Sequence, residues 1–121
     1  MPRELRHHVP GGWYHITTRG LGRRTIFHDD RDHEHFITLL AGMVERYSIV
    51  LHAFVLLGNH YHLLIETPEG NASPALQWLN TSYSVWHNIK HECMGSLFQS
   101  RFKSIPVDNE GSWALECAKG P

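Results

Sequence analysis

The chain has 121 residues, 41% of them hydrophobic, which supports one modest core, so we expect a single domain over residues 1–121. Its formal net charge of −1 lacks the overall basicity that is usual for proteins that bind nucleic acids. The chain has only two cysteines and no apolar targeting core at its N-terminus, which predicts a reduced, cytoplasmic protein. It has no apolar run of the ~18 residues that span a membrane, so we expect no membrane partner.

The first half of the chain predicts a strand, a helix and a hairpin. Residues 13–18 alternate large and polar side chains, which indicates a strand. Apolar residues recur at helical spacing over 30–47, and aspartates near the start favour a helix beginning there. The nearly continuous apolar run 49–57 predicts a strand buried on both faces. Gly58 and Asn59 suit a tight turn into an antiparallel neighbour.

The second half predicts a helix, a short strand and a last helix. Ser73 followed by Pro74 is typical of an N-cap and first helical position. The predicted helix places one apolar stripe on a single face: Leu76, Leu79, Tyr83, Trp86 and Ile89. Residues 102–107 predict a strand at a sheet edge, because they include a proline, and Asp108 or Asn109 would start the last helix. This order predicts an α+β fold, an antiparallel sheet with helices packed on one face.

Two histidines open the second strand of the predicted hairpin. Because side chains alternate along a strand, His60 and His62 project to one side while Tyr61 points to the other. Two imidazoles on one rigid face can bind one metal ion, and with oxygen ligands they suit Mg²⁺ or Mn²⁺, the imidazoles favouring Mn²⁺. The chain has 11 histidines, so this spacing is not specific by itself.

Basic side chains gather in two places despite the low net charge. Arg19, Arg23 and Arg24 follow the first predicted strand, while Arg101 and Lys103 lie near the start of the last one. Such residues either lie on a solvated surface or contact the phosphates of a nucleic acid.

Three segments in a fixed order, residues 10–20, 52–64 and 95–104, carry a family resemblance. Together they resemble the single-tyrosine HUH transposases, specifically the REP-associated branch, over residues 3–119. The resemblance implies a ferredoxin-like fold, a divalent metal, single-stranded or hairpin DNA as the partner, and often a homodimer. It also implies that one DNA strand is cut and rejoined through a covalent phosphotyrosine.

The end of the chain departs from this family pattern. In the family, the last helix continues into Tyr-Ile-x-x-Asn-Pro. The tyrosine of that motif is the nucleophile, and its asparagine is the third metal ligand. Gly120 and Pro121 stand at those positions here, so we expect a truncated copy that binds metal weakly and forms no covalent DNA adduct. Tyr83 is a substitute nucleophile to consider, although its place on the apolar stripe favours a core tyrosine.

Three functions therefore remain open. The first is an incomplete transposase domain, and the second is a non-catalytic DNA-binding module, which would bind a hairpin without metal. The third is a small metal-dependent hydrolase with a further ligand such as Glu66, which shares the strand face of His60 and His62.

Overall fold

The computed structural model describes residues 10–107, so the helix predicted to start at Asp108 or Asn109 lies outside the described residues. Its elements, in chain order, are β1 (Gly12–Arg19), a 3₁₀ turn (Leu21–Arg23), α1 (Asp30–Tyr47), β2 (Val50–Leu57), β3 (His60–Thr67), α2 (Ala72–His91) and β4 (Lys103–Val107). The bounds of α1 agree with the prediction. Asp29 caps this helix, since its side chain accepts a hydrogen bond from the amide of Asp32 at 3.0 Å.

The four strands form one sheet in the order β2-β3-β1-β4, and every neighbouring pair is antiparallel. Gly58 and Asn59 make the predicted turn between β2 and β3. Both α1 and α2 pack on the same face, where the Phe36 ring lies 4.8 Å from that of Tyr61 and the Tyr61 hydroxyl donates to Asn80. The predicted α+β architecture is confirmed.

The hydrophobic core lies between this face of the sheet and the two helices. Tyr14, Ile16, Leu63 and Ile65 from the two central strands are all buried. The helices contribute further fully buried side chains: Phe36, Leu40, Met43, Leu76, Leu79 and Tyr83. In the described part of the chain, no helix has the length and apolar character needed to cross a membrane.

The prediction that 49–57 is buried on both faces was wrong. β2 lies at one edge of the sheet, and Phe54 keeps 42% of its surface exposed. The apolar composition indicated a strand correctly but did not determine its place in the sheet. β4 lies at the other edge, as its proline required, and it begins at Lys103 rather than at Phe102.

The predicted start and apolar stripe of α2 also need correction. The helix begins at Ala72, so Ser73 lies inside the first turn instead of capping it. Asn71 precedes the helix and donates its side-chain amide to the carbonyl of Tyr47, which ties the two helix ends together. Ile89 is 74% exposed, because the buried face of α2 continues from Tyr83 to His87, four residues on, and not to Ile89.

Candidate metal and nucleic-acid site

The three sequence segments that carry the resemblance meet at one end of the sheet. The amide of Gly20 donates to the carbonyl of Asn59 at 2.8 Å, which joins the end of β1 to the hairpin turn. The amide of Gln99 donates to the carbonyl of Arg19 at 2.9 Å, which joins the third segment to the same point. Segments far apart in sequence therefore fix one local backbone geometry.

Gly20 is required at this junction. A Cβ atom at this position would lie 2.2 Å from the carbonyl oxygen of Arg24, a backbone atom with little freedom to move. The close approach of the two backbones therefore admits glycine alone.

The pairing register places two cations on the same face as the two histidines. Arg19 of β1 lies opposite His60, and Thr17 lies opposite both His62 of β3 and Lys103 of β4. Cross-strand partners share a face, so Arg19, His60, His62 and Lys103 all project away from α1 and α2. We call the surface defined by these four residues the histidine face. Arg19 and Lys103 are exposed, whereas His60 is only 8% exposed.

The two imidazoles are oriented by hydrogen bonds through their Nδ1 atoms. Their ring centroids lie 5.0 Å apart with planes at 82°. Nδ1 of His60 lies 2.7 Å from Oδ1 of Asn59, which only accepts, so this nitrogen carries the proton. Nδ1 of His62 lies 3.0 Å from Nε2 of His15 and 3.1 Å from the Thr17 hydroxyl. Nε2 of His60 is therefore left to bind an ion, and Nε2 of His62 is left to bind one in the tautomer whose Nδ1 donates to the Thr17 hydroxyl or to His15.

Burial favours the uncharged form of both rings. It lowers the pKa of His62 to about 4, and the nearby His15, His60 and Arg19 contribute to this lowering. Burial and the charge of Arg19 also lower the pKa of His60 below its ordinary value. A neutral imidazole is the form that binds a metal ion.

The other predicted basic residues lie outside the strands that form the histidine face. The Arg24 guanidinium donates to the carbonyl of Ser96 at 2.9 Å and so joins the end of the 3₁₀ turn to the segment between α2 and β4. Arg23 is exposed on that turn, with a positive φ of 65°. Arg101 lines a groove of about 1030 Å³ between α2 and the segment before β4. Polar side chains of α2 form the other wall of this groove: Gln77, Asn80, Thr81, Ser84 and Asn88.

Tyr83 lies on the helix-covered side of the sheet. It is fully buried, and its hydroxyl donates to the carbonyl of Ile26. Burial raises its pKa above the ordinary value, and the charges of Asp32 and Asp29 add to this. The structure therefore gives Tyr83 the surroundings of a core residue.

Glu66 lies at the far end of the histidine-bearing strand. It lies four positions after His62, which is about 13 Å along a strand. Its carboxylate pairs with Nε2 of His52 at 3.0 Å, and the His52 ring stacks on Trp13 at 3.9 Å. Within residues 10–107, no aspartate, glutamate, cysteine or further histidine completes a three-ligand group with the pair His60 and His62.

Sequence reasoning missed a second cluster of histidines. His28, His87 and His91 bring their ring nitrogens within 4.8 Å of one another. The signal in the sequence was the spacing of four between His87 and His91 on a helix, which puts both on one face.

Comparison with known protein families identifies the chain as an IS200-like transposase domain. The model of that family matches residues 8–116, so the chain belongs to it. Among solved structures, the chain is similar to a REP-associated tyrosine transposase bound to a REP hairpin, with a TM-score of 0.76 and 16% identity over 96% of this chain and 68% of that one. It is also similar to a candidate transposase from Deinococcus radiodurans R1, with a TM-score of 0.66 and 15% identity over 95% and 93%. No curated protein matches the chain significantly.

Proposed function

We propose that this chain is a transposase-family domain that binds single-stranded or hairpin DNA on its histidine face, with Mg²⁺ or Mn²⁺ held by His60 and His62. The observation that carries the proposal is the register of β1, β3 and β4, which sets Arg19 next to His60 and Lys103 across Thr17 from His62, all on one face of the sheet. Two exposed cations beside a potential ion site match the charge of a phosphodiester.

The residues present fit a divalent ion. The hydrogen bond of His60 Nδ1 to Asn59 leaves the Nε2 lone pair of His60 for coordination, and His62 offers its own in the tautomer whose Nδ1 donates to Thr17 or His15. Bound there, the ion would polarise a phosphate and orient the scissile bond. Asn59 and Thr17 contribute by fixing the two rings before the ion or the DNA arrives.

The two cations contribute differently to DNA binding. Arg19 has the more rigid backbone, because its carbonyl accepts from Gln99 and the next residue is bonded to the hairpin turn. Its guanidinium offers paired donors to phosphate oxygens, whereas Lys103 acts as a point charge on the edge strand β4. The hairpin bound by the structurally similar REP-associated transposase supports a hairpin as the ligand.

Covalent chemistry needs a tyrosine at the histidine face, and the four tyrosines of this chain lie elsewhere. Tyr61 and Tyr83 are fully buried beneath the helices, and their hydroxyls bond to Asn80 and to a backbone carbonyl. Tyr14 is buried on the same side, and Tyr47 packs against Trp78 at the end of α1. We therefore propose that these 121 residues bind DNA without forming a phosphotyrosine through any of the four tyrosines.

Fluorescence anisotropy of a labelled DNA hairpin with a single-stranded flank tests this proposal. We expect Mn²⁺ to tighten binding relative to EDTA in the wild type and in the control H52A, but not in the double variant H60A/H62A. His52 is the matched control, because it lies on β2 at the far end of the same sheet.

Two other outcomes contradict parts of the proposal. Equal hairpin affinity in Mn²⁺ and in EDTA would contradict the proposed role of the metal ion. Absence of hairpin binding would contradict the proposed DNA-binding function. On a denaturing gel we expect no covalent product, so a tyrosine-linked DNA adduct would overturn the assignment of the tyrosines.

A further inference from the structure

Three histidines converge where the segment before α1 meets the end of α2. We call His28, His87 and His91 the histidine triad. Their ring nitrogens lie within 4.8 Å of one another, and Nε2 of His28 is 3.0 Å from Nε2 of His87. The triad belongs to the helix side of the sheet, whereas His60 and His62 project from the opposite face.

The local structure brings the three rings together. His87 and His91 lie four apart on α2, so they project from the same face of the helix. His28 approaches from the segment before α1, where its amide donates to the Asp32 carboxylate at 2.8 Å. The three ring centroids are 4.3 to 5.1 Å apart.

Neighbouring oxygens fix the tautomers of the two helical rings. Nε2 of His91 lies 3.0 Å from the fully buried Asp32 carboxylate, which only accepts, so this nitrogen carries the proton and Nδ1 keeps its lone pair. Nδ1 of His87 lies 3.2 Å from Oδ1 of Asn88, which leaves the lone pair on Nε2. Partners of this kind are typical of histidines that ligate a metal.

The triad is enclosed on one side and open on the other. His87 is only 1% exposed, whereas His28 is exposed and His91 partly so. The buried ring gives a fixed ligand, and the exposed ring leaves a path from solvent and room for a water molecule. Three protein ligands with an open fourth position are a common zinc arrangement.

We propose that the histidine triad binds one transition-metal ion of the Zn²⁺ type, with a water molecule as its fourth ligand. Imidazole suits Zn²⁺, Co²⁺, Ni²⁺ and Cu²⁺, whereas Mg²⁺ and Ca²⁺ prefer oxygen. In a tetrahedral site with Zn–N bonds of about 2.05 Å, neighbouring nitrogens lie about 3.3 Å apart. One ring nitrogen of each histidine lies within 4.8 Å of the other two, and the Nε2 atoms of His28 and His87 are 3.0 Å apart, so the three rings already surround one position.

Binding requires a rearrangement of one proton. Without the ion, the Nε2 lone pair of His87 faces His28, so the Nε2–H group of His28 donates a hydrogen bond to it. His28 must change to the Nδ1 tautomer for both Nε2 atoms to face the ion, so no redox partner or other reactant is needed. The ion then links residues 59 positions apart and stabilises the contact between the start of α1 and the end of α2.

Isothermal titration of the full chain with ZnCl₂, made without a polyhistidine tag, tests this proposal. The parent protein is H60A/H62A, which removes the pair on the histidine face. In this parent, we expect the added substitutions H28A/H91A to reduce the number of bound Zn²⁺ ions by one. The control substitution H33A, added to the same parent, should leave that number unchanged. His33 is a suitable control because it lies in the first turn of α1 near the triad but directs Nδ1 to the carbonyl of Asp29.

Thermal unfolding gives a second readout. At a free Zn²⁺ concentration about 100 times Kd, the folding equilibrium of the parent should shift about 100-fold toward the folded state, and that of H28A/H91A should not shift. If circular dichroism shows H28A/H91A to be unfolded, H28Q replaces it, because His28 is exposed. Absence of Zn²⁺ binding by the parent, or equal stoichiometry and affinity in the triad variant, would overturn the proposal.

Discussion

Replacement of His62 by glutamine should flatten the dependence of stability on pH. The unfolded imidazole titrates near 6.5, whereas in the folded protein burial lowers the pKa of His62 to about 4. Between these values the unfolded chain binds the proton and the folded chain does not. The folded state is therefore most stable above pH 6.5, and this contribution is lost as the pH falls toward 4.

The size of the effect follows from the two pKa values. Lowering a pKa from 6.5 to about 4 corresponds at most to about 3 kcal/mol of unfolding free energy. The His62 ring is partly exposed, so solvent screening reduces the expected difference to about 1 to 2 kcal/mol. Two other histidines with lowered pKa values, His35 and His87, lie on the helices and affect the wild type and the variant alike.

Urea unfolding followed by circular dichroism, in EDTA at several pH values from about 7 to about 4.5, measures this difference across the window between the two pKa values. The wild type should lose more stability than H62Q as the pH falls through this window. Parallel curves for the two proteins would refute the reasoning, because they would mean that the folded His62 titrates as freely as in the unfolded chain.

Three further predictions concern binding and packing. Replacing Arg19 and Lys103 by alanine should reduce the salt slope of hairpin binding by about 0.7 for each phosphate that is no longer neutralised, measured by anisotropy; an unchanged slope would mean that both are merely solvated. G20A should lower the free energy of unfolding by more than about 1 kcal/mol, because its Cβ overlaps a backbone carbonyl, and wild-type stability in urea would contradict this. Y83F should cost about 1 to 3 kcal/mol by leaving a buried carbonyl unpaired, and a loss of hairpin affinity without a loss of stability would contradict its core role.

Local sequence patterns predicted the side-chain directions at the hairpin. Strand alternation alone placed His60 and His62 together and Tyr61 opposite them, and the register agrees, since Tyr61 is fully buried. The start and end of α1 followed from helical spacing and the aspartates before it. These features depend on neighbours a few residues apart, which the sequence displays directly.

Features set by distant segments were not predictable in this way. The apolar content of β2 indicated a strand, but the pairing of β1 between β3 and β4 decided that β2 lies at an edge. The position of Arg19 beside His60 depends on the same pairing. Likewise, His28 meets the end of α2 only because the chain folds back, so spacing revealed at most the helical pair His87 and His91.

The most direct test of the central claim is a ¹H–¹⁵N NMR titration of the protein with the flanked hairpin. We expect the largest amide shifts at Arg19, His60, His62 and Lys103, on the face of the sheet opposite α1 and α2. Shifts confined to α2 and the groove lined by Arg101, with the histidine face unchanged, would contradict it.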